Sequence, residues 1–289
     1  MRLHVPVMLR EVLELLMPQR GGLYVDATVG AGGHAEALLR ELPSGSVLLC
    51  TDRDEEALRM AARRLKAPGG VRLLIRKARF SQLAELLEPL GAAQGMLFDL
   101  GASMMQLTDP HRGFGLSSPA PLDMRMEASQ ALTAHEIVNT WPQRRLEELF
   151  RLYGQEPRAR KAAQMIVRSR PIGSCRQLAE LLQGLYGPGR RRLHPATRVF
   201  QALRIVVNDE LGQLRAALRS LPELLAPGGR AVFISYHSLE DREVKHYLRA
   251  RRDVLKVLTP KPLRPSEEEV ARNPSARSAR LRAAERLVA

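Results

Sequence analysis

Asp26-Ala27-Thr28-Val29-Gly30-Ala31-Gly32-Gly33-His34 is the stretch on which the fold turns. An apolar run, Leu23-Tyr24-Val25, precedes it and reads as a short buried strand. Ala35-Glu36-Ala37-Leu38-Leu39 follows, good helix formers with an apolar stripe. Strand, glycine loop and helix in that order point to an open parallel α/β sheet, in which ligands bind beyond the carboxyl ends of the strands. Glycines let the backbone approach a ligand, and a helix N-terminus offers free N–H groups. A glycine loop alone is equally the mark of a tight turn. Two carboxylates sharpen the reading. Asp26 opens the loop, and Asp52 ends the next apolar run, Val47-Leu48-Leu49-Cys50-Thr51-Asp52. An acid about twenty residues past the glycines is placed to accept hydrogen bonds from ribose hydroxyls. Gly30, Gly32 and Ala35 also satisfy the looser dinucleotide fingerprint, so a nicotinamide cofactor stays open at this point. Either way an adenosine-bearing cofactor is implied.

Working outward, residues 9–17 read as a helix before the loop. Pro43-Ser44-Gly45 breaks into the strand ending at Asp52, residues 55–66 form a helix, and Pro68-Gly69-Gly70 stops it. Residues 71–78 read as a third strand and 80–87 as a helix. Phe80, just past that strand, either stacks on an adenine ring or packs into the core. Gly95-Met96-Leu97-Phe98-Asp99-Leu100-Gly101 is the fourth strand, with an acid and a glycine at its carboxyl end. From Thr108 to about Pro195 no strand-like period occurs, and Arg144, Arg145, Arg151, Arg158, Arg160, Lys161, Arg168, Arg170 and Arg190-Arg191-Arg192 crowd the stretch. It reads as a helical insertion, its basic face either simply solvated or RNA-binding. A long helix then carries Phe200, Leu203, Val207, Leu211, Leu214 and Leu218 on one stripe. Residues 230–236 are the fifth strand, and His237 lies at its end. Ser238 with Asp241 resembles a helix cap. The tail, with a basic run at 277–286, ends in strands or in a loosely held arm.

The chain has 289 residues with 45% hydrophobic, enough for a sizeable core. Cys50 and Cys175 are far apart and lack metal-type spacing, which argues for apolar fillers and against a disulfide framework or zinc site. No apolar run reaches the roughly 18 residues of a membrane span. No signal peptide opens the chain. The expectation is a soluble cytoplasmic protein. Lys and Arg number 45 against 31 acids, a net charge of +14, which favours a polyanionic partner such as nucleic acid.

Taken in order, the motifs resemble one family, the bacterial small-subunit (16S) ribosomal RNA methyltransferases that modify a cytosine at N4 with S-adenosyl-L-methionine. They are His4-Val5-Pro6-Val7, Asp26-x-Thr28-x-Gly30-x-Gly32-Gly33-His34, Asp52-Arg53-Asp54, Asp99-Leu100-Gly101-x-Ser103, Gln106-Leu107 and Arg112-Gly113-Phe114. Pro121-Leu122-Asp123-Met124-Arg125-Met126, His194-Pro195-Ala196-Thr197-Arg198, Phe200-Gln201-Ala202-Leu203-Arg204-Ile205, residues 235–242 and residues 273–278 continue the match nearly to the end. The resemblance implies a Rossmann-like methyltransferase sheet with helices on both faces. Its methyltransferase domain would span 1–107 and 196–289, around an inserted helical RNA-recognition domain at 108–195. It also implies that Gly32, Gly33 and His34 line the methionine and ribose side of the cofactor. Asp52 would hold the ribose hydroxyls, Phe80 flank the adenine, and Asp99 and Gln106 close the site near the methyl group. The partner would be small-subunit ribosomal RNA or the small subunit itself, with no membrane and no metal. The sequence departs from the pattern at Met104, where a second serine is usual, and at Thr108, where an acid is usual. Ala35 replaces a serine, and Tyr236 stands where phenylalanine is common.

Methyl transfer from a sulfonium is an in-line displacement, so the protein mainly positions the amine. A cytosine amine conjugates its lone pair into the ring. An acceptor aimed at its hydrogens localises that pair, and Asp99 is the leading candidate, with Asp123, His237 and Asp241 behind it. Buried in a helix, the base must be presented unstacked. A nicotinamide oxidoreductase would explain Gly30, Gly32 and Asp52 but not the later motifs. A non-catalytic RNA-binding protein would explain the charge but not the cofactor loop. A DNA amino-methyltransferase would carry a Pro-Pro-aromatic motif after the fourth strand, absent here.

Overall fold

The computed structural model describes residues 6–186 and 194–288. Arg190-Arg191-Arg192, and His4 and Val5 of the opening motif, lie outside the described residues. The chain begins α1 (Leu9–Leu16), β1 (Leu23–Asp26), α2 (Gly33–Glu41), β2 (Val47–Asp52), α3 (Glu55–Arg64), β3 (Arg72–Lys77), α4 (Leu83–Leu87) and β4 (Ala93–Asp99). A helical stretch follows: α5 (Met104–Thr108), α6 (Ala134–Thr140), α7 (Gln143–Leu152), α8 (Ala159–Arg168), α9 (Cys175–Gln183) and α10 (Thr197–Asn208). Then come α11 (Glu210–Leu224), β5 (Leu225–Ser235), α12 (Ser238–Ala250), β6 (Leu255–Val257), α13 (Glu267–Arg272) and β7 (Arg280–Arg286). These form two compact units, residues 1–101 with 211–289, and residues 102–210.

The first unit is built on a seven-stranded sheet in the order β3-β2-β1-β4-β5-β7-β6. The first five strands in that order are parallel, and β7 runs antiparallel to both β5 and β6. Alternate residues of each central strand enter opposite cores, as the period of two requires. Tyr24, Leu48, Cys50, Leu97, Val232 and Ile234 pack on one face with Val12, Leu16, Leu38 and Leu39 of α1 and α2. Val25, Leu49, Met96, Phe98 and Phe233 pack on the other with Leu83, Leu214, Leu218, Val244 and Leu248 of α4, α11 and α12. The chain crosses from β3, past β2 and β1, to β4 on the far side of β1. The carboxyl ends of β1 and β4 therefore flank a topological switch point.

The tail resolves into strand. Arg280–Arg286 inserts between β5 and β6, with Phe233 opposite Arg282 and Ile234 opposite Leu281. Its charges are satisfied locally: Asp241 of α12 accepts from Arg282 Nε at 2.7 Å and from Arg280 at 3.1 Å. Those bonds hold the Asp241 carboxyl below the usual range despite the opposing cost of burial.

The second unit has its own core, in which Leu146, Phe150, Ala163, Ile166, Leu178 and Leu182 of α7, α8 and α9 meet Val199, Leu203 and Val207 of α10. Here the sequence reading needs correction on two counts. The inserted unit runs from 102 to 210 rather than 108 to 195, because the apolar face of α10 packs with the insertion's helices. The predicted long helix is also two helices. Asp209 between them takes φ +48°, a conformation Asn and Asp tolerate better than most residues. Asn208 anchors the break, donating to Met124 O at 2.7 Å and accepting from Met126 N at 2.7 Å. Arg204 and Glu210 bracket it with a bidentate ion pair at 2.8 and 2.9 Å.

Candidate cofactor site

The loop after β1 is shaped by backbone that few side chains allow. Gly30 and Gly32 adopt φ +49° and +83°, left-handed values open to glycine without strain. A Cβ on Gly33 would lie 3.3 Å from the ring of Pro6. Gly32 caps α2 with no side chain, so the first-turn N–H groups face the loop's mouth. Two strand-end acids fix the loop. Asp26 Oδ1 accepts from Thr28 N at 3.1 Å, and Asp52 Oδ2 accepts from Gly30 N at 3.0 Å. Asp52 Oδ1 accepts from Asp54 N at 2.9 Å, while Asp54 caps α3. A carboxylate has about four acceptor sites, so Asp52 keeps capacity for further donors.

Burial dominates the electrostatics. It pushes the Asp52 carboxyl up to about 6 against the pull of its backbone amides. Asp26 is pushed up to about 7, first by burial and then by the nearby charges of Asp99 and Asp52. Its Oδ2 is buried without a hydrogen-bond partner. A buried acceptor left so is costly in the free protein and suits a ligand that brings a donor or a positive charge.

Asp99, at the end of β4, is held from several sides. Its backbone N–H donates to Thr28 Oγ1 at 2.7 Å, tying β4 to the glycine loop. Tyr236, just past β5, donates its hydroxyl to Asp99 Oδ1 at 2.8 Å. Burial and that carboxylate push the Tyr236 phenol well above its ordinary range, so it remains a donor. His34 is buried, and burial lowers its pKa to about 4. The ring is therefore neutral near pH 7, and its Nε2 donates to Val7 O at 2.9 Å. Nδ1 is left as an acceptor, 3.8 Å from Asp99 Oδ2. Two acceptors at that separation are suited to a donor between them.

Of the residues the sequence singled out, Gly32, Gly33, His34, Asp52 and Asp99 gather at these strand ends. Phe80 is half-buried and packs edge-on against Phe98, ring centres 5.4 Å apart, so its inner edge is core. Gln106 belongs to the second unit, where it is buried and its amide oxygen accepts from Ser103 N in the capping box of α5. Asp123, also in that unit, is paired with Arg125 through both oxygens at 2.8 Å. His237, not Ser238, caps α12, with Glu240 closing the capping box; the cap sits one residue earlier than predicted. Asp241 is consumed by its two arginines. Cys50 and Cys175 are buried and free. Sequence reasoning gave no role to the orphaned Asp26 oxygen or the Thr28 hydroxyl. It treated Tyr236 only as a departure from pattern, and that departure was the signal.

Taken together, a largely parallel open sheet, a glycine loop between a buried and a half-buried acid and a clamped strand-end carboxylate define a class: α/β enzymes that hold an adenosine-bearing cofactor at the switch point. The chain belongs to the MraW methylase family, whose model matches residues 1–287. It is 45% identical to the ribosomal RNA small subunit methyltransferase H of Acidobacterium capsulatum, covering 98% of each chain. Against the proteins of the same name from Thermomicrobium roseum and Pseudothermotoga lettingae it is 48% and 47% identical, over 98% of this chain and 94% and 98% of theirs.

Proposed function

We propose that this protein transfers a methyl group from S-adenosyl-L-methionine to the exocyclic N4 of a cytosine in small-subunit ribosomal RNA, in the cytoplasm. The observation that carries the reading is the Asp99 carboxylate, clamped by Tyr236 and set 3.8 Å from the acceptor nitrogen of His34 beside the glycine loop. The residues present fit the cofactor: an orphaned Asp26 oxygen for cationic character, glycine backbone for close approach, and spare Asp52 acceptors for ribose hydroxyls. When bound, the cofactor supplies an electrophilic methyl carbon on a sulfonium. Gly32, Gly33 and His34 line its methionine and ribose side, Asp52 binds the ribose, and the outer edge of Phe80 flanks the adenine. Asp99 accepts a hydrogen bond from the target amine, localising its lone pair, and receives the proton that the nitrogen loses as its new bond to carbon forms and the sulfur–carbon bond breaks; Tyr236 fixes the angle of that hydrogen bond. The test is incubation of small subunits and of extracted RNA with methyl-labelled cofactor, followed by nucleoside analysis. N4-methylcytidine is expected. A rise in melting temperature with a nicotinamide dinucleotide but not with S-adenosylmethionine, and no labelled RNA, would overturn the reading.

The second unit grips the RNA backbone in this proposal, and its cations are not equivalent. Arg170 donates to Val138 O and Trp141 O, and Lys161 donates to Leu185 O. Arg158 donates to the same Leu185 carbonyl, and Arg145 lies 3.4 Å over the Trp141 ring. These four hold the unit together. Arg144 and Arg151 on α7, and Arg160 and Arg168 on α8, are exposed and without an ion-pair partner among the described residues. Reversing those last four to glutamate should weaken RNA binding and flatten its salt dependence by roughly 0.7–0.9 per lost phosphate contact, with cofactor affinity unchanged. Equal loss of both affinities would mark the four as structural.

A further inference from the structure

We propose that a basic cavity on the sheet unit, where the C-terminal half of α12 meets β6 and β7, is a second binding site for the phosphodiester backbone of the RNA substrate. This rests on the reading of the substrate as RNA, and deepens it. The cavity holds about 380 Å³, within the range of small-ligand sites. Lys245 and Arg249 line it from α12 at positions i and i+4, which share one helix face, and Arg252 lines it from the turn just after the helix. Lys256 joins them from β6, and the buried Leu248 and Leu255 form its apolar floor.

The charge pattern is what singles it out. Several cations near α12 and the sheet edge are matched: Arg215 with Glu243, Arg230 with Glu285, Arg251 with Asp253, and Arg280 and the cavity's own Arg282 with Asp241. Lys245, Arg249, Arg252 and Lys256 have no ion pair and no side-chain hydrogen bond among the described residues, and no acid lines the cavity. Four converging like charges repel one another. A polyanion relieves that repulsion, while the leucine floor suits the apolar faces of a ribose or a base. A merely solvated basic face requires neither the convergence nor the floor.

The position says which part of the RNA is met. Ser238 starts α12 at the carboxyl end of β5, and Arg249 lies eleven residues further on, about 16 Å along the helix axis. The cavity therefore takes backbone flanking the target, not the target nucleotide.

The test uses the full chain with the four cations changed together, as K245E/R249E/R252E/K256E and as the neutral K245Q/R249Q/R252Q/K256Q. Affinity for extracted small-subunit RNA is measured across salt concentrations, beside melting temperature and cofactor affinity. The glutamate variant should bind RNA at least tenfold more weakly at low salt, with a log–log salt slope lower by about 2–3, corresponding to three or four lost phosphate contacts. The glutamine variant should show the same loss of slope with a smaller loss of affinity. Unchanged RNA affinity and slope in variants that keep their melting temperature and cofactor affinity would overturn the proposal, as would a loss of binding to an acidic protein with RNA binding intact. Should the wild-type chain bind RNA tightly yet methylate none, the functional reading fails while this site stands.

Discussion

Replacing Asp99 with asparagine slows single-turnover methyl transfer at saturating cofactor by about a hundredfold, or roughly 2.7 kcal/mol of transition-state stabilisation. The substitution keeps size and one acceptor oxygen but removes the charge. The amide also disturbs the clamp: either its NH2 group faces the Tyr236 hydroxyl that now donates at 2.8 Å, or it turns toward His34. In the second orientation it donates to Nδ1. Both orientations cost the acceptor its aim. Tyr236→Phe separates aim from charge, because it removes only the hydrogen bond to Oδ1. A loss of about three- to tenfold in the single-turnover rate, with cofactor affinity little changed, is the expected result for a positioning hydroxyl, in keeping with about 1 kcal/mol for one such bond. If Asp99→Asn instead lowers only cofactor affinity and leaves turnover intact, Asp99 serves binding alone and the amine is polarised elsewhere. Asp123 and Asp241 are poor substitutes, each committed to arginine. His237 would then be the group to examine.

The parallel half of the sheet is legible in the sequence because its information is local. Each of β1, β2 and β4 is a short apolar run ending in a carboxylate, and a strand with both faces buried carries no other mark. The glycine loop is legible for the same reason, since its conformation excludes most residues at Gly30 and Gly32. What escaped was set by distant partners. For the residues of β7 the sequence left strand and loose arm both open, because the charges of Arg280 and Arg282 are answered by Asp241, some forty residues away. The stripe from Phe200 to Leu218 keeps helical spacing across Asp209, so periodicity could not show the break that Asn208 makes with Met124 and Met126. The insertion's cations read as one basic face, although four of the eight named among the described residues, Arg145, Arg158, Lys161 and Arg170, serve carbonyls or an aromatic ring. Within the site, a pattern names Asp99 as important. Only the geometry shows that Tyr236 and Thr28 orient it.

Asp52→Ala should weaken S-adenosylmethionine binding by roughly ten- to a thousandfold, the loss of one or two hydrogen bonds of about 1.5–3 kcal/mol each to a charged group. Since Asp52 also receives the amides of Gly30 and Asp54, part of that loss is a loosened loop. Asp52→Asn, which keeps one acceptor oxygen, should fall between the two. The acids also set a pH dependence. In the free protein Asp52 titrates at about 6 and Asp26 at about 7, both above the usual carboxyl value near 3.9. Folding therefore retains protons that the unfolded chain has released, and stability of the free protein declines as pH rises from about 4 through 7. Cofactor binding acts in the opposite sense. Ribose hydroxyls at Asp52 and a positive group near Asp26 both favour the ionised carboxylates, so binding releases protons and tightens as pH rises from about 5 to 8. Calorimetry in buffers of different ionisation enthalpy reads that proton release directly. Asp52→Ala should remove the component centred near 6 and leave the Asp26 component, moved below 7 because the charge of Asp52 no longer raises it. Affinity independent of pH over this range, or a folded Asp52→Ala variant that binds as tightly as wild type, would remove these two acids from the cofactor site.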